Sequence, residues 1–302
     1  KMPITRSNAP KQLLPGLNVI FGLEYKGIDN EHLELFESET SEKAFEEEVL
    51  MSDFATAPVK TEGAAVTFDT ASEQFTARYT HSTIALAFSI TEEAWEDNLY
   101  DTWSKIRAKA LGRAMANTKQ TRGANIFNNG FLTGVDAIGD AAAFFSTAHP
   151  TASDGNQSNT ISQDLSEGQL EAVAINIYLT EDDRGKLIGA RPVSLHIPPQ
   201  LVFVAQRLLY SPGQPGGADN AINAVNSLSV FPKGWKVNHR FTDTDAWFVK
   251  TDVPNGTKHF MRAPLSTKME GDFDTGNLRF KARERYSFGV SNWRQWYGSA
   301  GA

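Results

Sequence analysis

The chain has 302 residues, 40% of them hydrophobic, which is enough for two packed regions. Its 36 acidic and 29 basic side chains give a formal charge of −7, which argues against nucleic acid as the main ligand, because phosphate binding is driven by excess Lys and Arg. The absence of cysteine removes disulfides, thiol nucleophiles and thiolate zinc sites together. No apolar run approaches the ~20 residues of a membrane span, and the opening Lys1-Met2-Pro3-Ile4 lacks the apolar core of a secretion signal, so a soluble protein, intracellular at synthesis, is expected.

Residues 1–30 carry Pro3, Pro10 and Pro15 with little periodicity and read as an extended arm that cannot bury itself alone. Residues 31–48 are acidic, with Leu33, Leu35, Phe36 and Phe45 interleaved, and part of this stretch is expected to be a short helix. Residues 54–90 show strand-like alternation. Val66 and Phe68 lead into a polar turn at 69–72, Phe75, Ala77 and Tyr79 resume the alternation, and Ile84, Leu86, Phe88 and Ile90 share one face. A lone hairpin is marginal in water, so such a ribbon needs a partner.

From 91 to 129 the sequence reads as one amphipathic helix. Trp95, Leu99, Trp103, Ile106, Ala110, Ala114 and Ile126 fall on one stripe, Ser89 and Glu92 form a capping box, and Asn128, Asn129 and Gly130 supply the stop. At 1.5 Å per residue it would be roughly 58 Å long, with Gly112 and Gly123 as places for a bend. Next come a polar loop at 144–160, a helix at 165–179, a strand at 193–197 ending at Pro198-Pro199, a helix at 200–210 and a loop, SPGQPGGA, at 211–218. Two strands lie within 235–253, a turn is expected at Asn255-Gly256, and a long strand fills 278–290. In that strand Leu278, Phe280, Ala282, Tyr286 and Phe288 lie on one face and Arg279, Lys281, Arg283 and Arg285 on the other.

Catalytic patterns are missing. The six histidines (32, 81, 149, 196, 239 and 259) show no metal-ligand spacing and read as surface or loop residues, and no nucleophile elbow, phosphate loop or dinucleotide motif occurs. Asp182-Asp183 reads as a solvated turn. Asp272 and Asp274 lack the closing Glu of a calcium loop and also read as a turn. No metal, cofactor or catalytic residue is therefore expected. The strong charge features are the acidic cluster Glu42, Glu46, Glu47 and Glu48 and the basic strand face at 279–285. They are expected to meet across subunits in a salt-sensitive contact, against the simpler reading of two solvated faces.

The order of elements, together with PGLNVIFGLEY (15–25), TARYTHSTIALAFSITEEAWEDNLYD (76–101), FFSTAHP (144–150), DDRGKLIGARPVSLHIPPQLVFVAQRLL (182–209), DAWFVKTDVPNG (245–256) and EGDFDTGNLRFKARERYSFGVSNWR (270–294), resembles the tailed-phage major capsid proteins of the Hong Kong 97-like fold, with the Mu-like head subunits nearest. The resemblance covers nearly the whole chain. It implies an α+β subunit with an N-terminal arm and short acidic helix (1–53), an extended β-hairpin loop laid over a neighbour (54–90), a peripheral domain (91–198) with a spine helix (91–129), an axial domain (199–262) and a return to the peripheral domain (263–302). Implied partners are further copies as pentamers and hexamers of an icosahedral shell, portal, scaffolding and decoration proteins, and enclosed double-stranded DNA bound without sequence specificity. No membrane is implied, and the implied location is the virion, after synthesis in the host bacterial cytoplasm. Candidate subunit contacts are the four glutamates, Val66, Phe68, Phe75 and Tyr79 of the ribbon, and the four cations of the strand. Removing residues 66–79 is expected to leave a foldable subunit that builds no stable shell.

The chain starts at the arm, which implies a separate or removed scaffold. Lys60, the sole lysine of the ribbon, is not expected to form the cross-link of the family's type member. The alternatives are an encapsulin-type compartment shell and, more remotely, a soluble hydrolase using Asp182 or His149.

Overall fold

The computed structural model describes residues 9–70, 73–91, 93, 100–134, 138–151, 155–214, 221–272 and 276–302. They form two compact units. The first takes the described residues of Lys1–Phe45, Thr80–Gly123 and His259–Ser287, and the second those of Glu46–Tyr79, Ala124–Lys258 and Phe288–Ala302. Helix and sheet are mixed in both, as expected for an α+β chain.

In the first unit the expected extended arm is a helix, α1 (Ala9–Lys26), with Pro15 inside it. An interior proline costs about 3 kcal/mol, which made this segment read as broken. Leu17 and Phe21 overcome the cost by packing against Ala108, Leu111 and Met115 of the long helix and Phe280 and Ala282 of the sheet, at roughly 1.5–3 kcal/mol for each fully buried side chain. The short helix in the acidic stretch is α2 (His32–Leu35).

The long helix, α3, is described over Tyr100–Asn128. The proposed cap at Glu92, the residues Trp95 and Leu99, and the Trp103 side chain lie outside the described residues. Ile126 is buried as expected, but earlier in the helix Ile106 and Ala110 are exposed and Ser104, Ala108, Leu111, Met115 and Lys119 are buried, so the buried stripe there differs from the expected one. The two stripes are one residue, about 100° of helix, apart. Leu111 and Met115 bury more than Ala110 and Ala114 would, so they set the rotation. Gly112 serves a close approach, because a Cβ there would lie 2.9 Å from the carbonyl oxygen of Phe21.

These helices cover a four-stranded sheet ordered β1 (Glu37–Thr40), β11 (Thr257–Gly271), β12 (Leu278–Val290), β4 (Ser82–Ile90). β4 and β12 run antiparallel, from Ile90 opposite Leu278 to Ser82 opposite Tyr286. The expected alternation of β12 holds, with Phe280, Ala282 and Tyr286 buried while Arg279, Lys281 and Arg283 are exposed. Glu284 also lies on the buried face.

In the second unit a five-stranded sheet is ordered β7 (Thr160–Ile161), β13 (Trp296–Ser299), β10 (Trp247–Thr251), β8 (Pro192–Ile197), β9 (Trp235–Val237). Only its outer pairs, β7 with β13 and β8 with β9, are parallel. The helix α4 (Glu167–Tyr178) packs Leu170, Val173 and Ile177 into its core, and α5 (Val202–Tyr210) adds Ala205, Leu208 and Leu209. Phe127, at the end of α3, stands among the rings of Phe144, Phe145, Phe241, Phe248 and Trp296 at 4.7–6.1 Å between centroids. Asn255 turns with φ +56°, as the Asn-Gly pair predicts.

The ribbon differs from expectation. Strand β3 (Glu73–Thr80) pairs with β2 (Phe45–Met51), not with residues 66–68, and no strand occurs among the described residues 52–70. The run Glu46-Glu47-Glu48 hid β2 because glutamate favours helix. In place, Glu47 lies 3.8 Å from Arg78 of β3, a cross-strand pair.

Candidate functional site

Two groups of the candidate contact residues come together and the others stand apart. Glu48 accepts from Lys258 Nζ at 2.5 Å and from Ser291 Oγ at 2.6 Å, and the Tyr79 hydroxyl bonds the same Ser291. Glu48 and Tyr79 thus share one polar knot within the second unit, and Glu47 is engaged by Arg78, so the acidic cluster is not wholly free for another subunit. Glu42 and Glu46 are exposed or partly exposed on the same stretch. Phe75 is half-buried, whereas Val66 is 65% and Phe68 94% exposed, together with Val59 and Phe54.

On β12, Arg279 is held by Asp272 at 2.5 Å, Lys281 and Arg283 point outward and Arg285 is half-buried. Their β4 neighbours are Ser89 opposite Arg279, Ala87 opposite Lys281, Ala85 opposite Arg283 and Thr83 opposite Arg285. The cations therefore stand in a row beside a strip of small side chains. Asp274 lies outside the described residues, and the bond from Asp272 to Arg279 agrees with a turn.

On the opposite face, the residue missed by sequence reading is Glu284. Its Oε2 lies 2.6 Å from Lys119 Nζ and accepts from the Tyr25 hydroxyl at 3.1 Å. Burial first, and then Glu284, raise the pKa of Tyr25, and the same causes raise that of Tyr286. The signal was available: Glu284 falls in phase with Phe280, Ala282 and Tyr286.

Five of the six histidines are buried, against the expected surface placement; only His239 is exposed. His149 Nδ1 lies 2.7 Å from Asp140 Oδ2 and Nε2 lies 3.0 Å from Asn159 Oδ1, while its ring stacks on Trp293 at 4.3 Å. Both nitrogens are occupied and the ring is covered, so it has no face for a substrate. Asp182 and Asp183 are buried as well, not solvated. With Asp53 they line a cavity of about 360 Å³ that also meets Asp252, Asn292 and Arg294.

The three carboxylates reach within 4.8 Å of one another. Lys186 Nζ sits 2.9 Å from Asp182, so a cation is supplied by the chain itself. Burial is the largest influence on Asp182 and acts to raise its pKa, but N–H groups of Lys186 and Arg184 and the Lys186 ammonium leave it below the usual value. Arg294 is lowered by burial, opposed by Asp183 and Asp182. Its guanidinium donates to the Glu181 carbonyl and the Gln157 side chain, both at 2.9 Å. These groups close a loop; no nucleophile stands with a base at the cavity among the described residues.

Residues 73–299 match a family model described as phage capsid protein. No curated protein sequence matches the chain. Among solved structures, the capsid of an empty GTA particle is 11% identical, covers 91% of each chain and has a TM-score of 0.59. The capsid of cyanophage P-SCSP1u is 11% identical, covering 89% of this chain and 86% of that one, with a TM-score of 0.56. A virus-like particle from Pyrococcus furiosus is 10% identical, covering 94% and 98%, with a TM-score of 0.55. At these identities the structures establish a shared Hong Kong 97-like fold. They do not single out the Mu-like branch.

Proposed function

The chain belongs to the phage capsid protein family, and on that premise we propose that it is the major capsid subunit of a tailed double-stranded DNA phage, self-assembling into an icosahedral shell around the genome. The observation that carries this reading is the family match over residues 73–299, supported by a fold shared with assembled capsids along nine-tenths of the chain. The role is structural. The compartment-shell alternative shares the fold, and the family match favours the phage capsid. The hydrolase alternative loses its residues, because His149 and Asp182 are spent on internal bonds.

Within that role the 52–70 connection is the part proposed to lie on a neighbouring copy, since it exposes four large apolar side chains in one short stretch, Phe54, Val59, Val66 and Phe68. The outward cations Lys281 and Arg283 are proposed to meet carboxylates of another copy, with Glu42 and Glu46 as the candidates from the acidic cluster. The five-part division into arm, loop, spine, peripheral and axial regions is carried as part of the same proposal. So are portal, scaffolding and decoration partners, virion location and synthesis in the host cytoplasm.

Negative-stain imaging of the purified full chain is the test: closed shells are expected, and a monomer or small oligomer in light scattering overturns the reading. Deleting residues 66–79 is a poor variant, because Ala77 and Tyr79 are buried. Val66→Ser with Phe68→Ser touches only exposed side chains. It should leave the circular dichroism of the subunit unchanged and abolish stable shells. Genome-filled rather than enzyme-filled particles separate the phage reading from the compartment shell.

A further inference from the structure

Residues 30–41 are held on the rest of the first unit by the pairing of β1 with β11 and, beside that pairing, by three histidines. The main-chain N–H of His32 and its ring Nδ1 both meet the Gln120 Oε1 of α3, at 2.9 and 3.0 Å, and Gln120 Nε2 donates to Asn30 Oδ1 at 3.4 Å. His259 Nδ1 of β11 meets Ser38 Oγ at 3.0 Å, and the His32 and His259 rings touch edge to face at 5.3 Å. His81 Nε2 meets Ser41 Oγ at 3.0 Å while its Nδ1 meets Ser287 Oγ at the same distance. Leu35 and Phe36 anchor the segment by burial.

We propose that His32 and His259 form an acid-operated latch, which holds residues 30–41 on α3 and β11 while both rings are neutral and releases that segment when they are protonated. The geometry sets the sign. Charging both rings would place two cations 5.3 Å apart in a buried site. Lys119 of α3 is a further cation that opposes protonation of both rings, and Arg122 lies over the Tyr286 ring that His259 touches. Glu284 of β12 is the buried anion, and it is bonded to Lys119 and to Tyr25 of α1. The segment's own Glu31, next to His32, is half-buried, and its Glu34, Glu37 and Glu39 are exposed. His81 is a further stitch, set between Ser41 and Ser287.

Burial lowers His32 to about 4, and burial, His32 and Lys119 lower His259 to about 3. A released segment would restore the ordinary value of about 6.5. The neutral rings therefore contribute their full hold above that value, and the hold fades as pH falls from it towards 4 and 3. At pH 4.5 each ring favours release by up to about a hundredfold, and the two together by about ten-thousandfold.

The test is hydrogen exchange by mass spectrometry on the full chain as it assembles, at pH 7.5 and pH 4.5, corrected for intrinsic exchange rates. Peptides covering residues 30–41 should lose protection at least about a hundredfold more than those covering β10 in the second unit. Unchanged protection of 30–41 at pH 4.5, or equal loss across both units, overturns the latch without reference to shell formation. His32→Gln should cut the acid response by about a hundredfold. Where that variant does not fold, the wild-type comparison alone decides.

Discussion

In the first unit α3 meets its sheet through Lys119, Glu284 and Tyr25, bonded at 2.6–3.1 Å, whereas in the second its last turn sets Phe127 among five aromatic rings. The aromatic site depends on volume. The polar site is directional: it fixes which turn of α3 faces which residue of β12, and it tolerates loss of one partner badly, because the other is left charged and buried. The first unit adds this polar match to the apolar packing of Ala108, Leu111 and Met115 on Phe280 and Ala282.

The contrast gives three measurements, beginning with the largest effect. Phe127→Ala should cost about 3–5 kcal/mol, read as a lowered unfolding midpoint of the second unit in calorimetry. A cost below about 1 kcal/mol would mean that the ring cluster relaxes and is not close-packed. Lys119→Met should cost about 3 kcal/mol by stranding Glu284, while Lys119→Met with Glu284→Leu should recover most of it; equal losses in the single and double variants would show that the pair does not act as a pair. Smallest is Glu24→Gln, which removes bonds to Arg113 at 2.8 Å and Lys109 at 3.6 Å. An exposed pair of this type contributes at most about 1 kcal/mol, and raising salt should erase the difference in denaturant midpoint.

How much of this was legible in sequence follows from what each residue must reveal by itself. Strand β12 was read with its observed bounds because period-two alternation is local, and the Asn255 turn because the Asn-Gly pair states its own backbone. The helix α1 was hidden by Pro15, since its stability comes from residues nearly a hundred positions away. Strand β2 was hidden by a run of glutamates whose partners are remote in sequence, Arg78 for Glu47 and Lys258 and Ser291 for Glu48. For α3 the sequence offers two stripes one residue apart, and only the presence of α1 and β12 chooses between them. Three of the buried histidines were misplaced because their partners are remote in sequence, Gln120 for His32, Ser38 for His259, and Ser41 and Ser287 for His81. Of the candidate contacts, Lys281, Arg283, Val66 and Phe68 are exposed. Glu48 and Tyr79 proved to be committed at home.

The row Arg279, Lys281, Arg283 and Arg285, with only Ser, Ala and Thr beside it on β4, has a mechanical consequence. Its charges repeat every second residue, about 6.6 Å along the strand, and the neighbouring small side chains put no wall between one position and the next. A carboxylate laid along this row finds a cation again one step further on. With Arg279 bonded to Asp272 and Arg285 half-buried, the row presents two outward charges, Lys281 and Arg283, one such step apart, and not four.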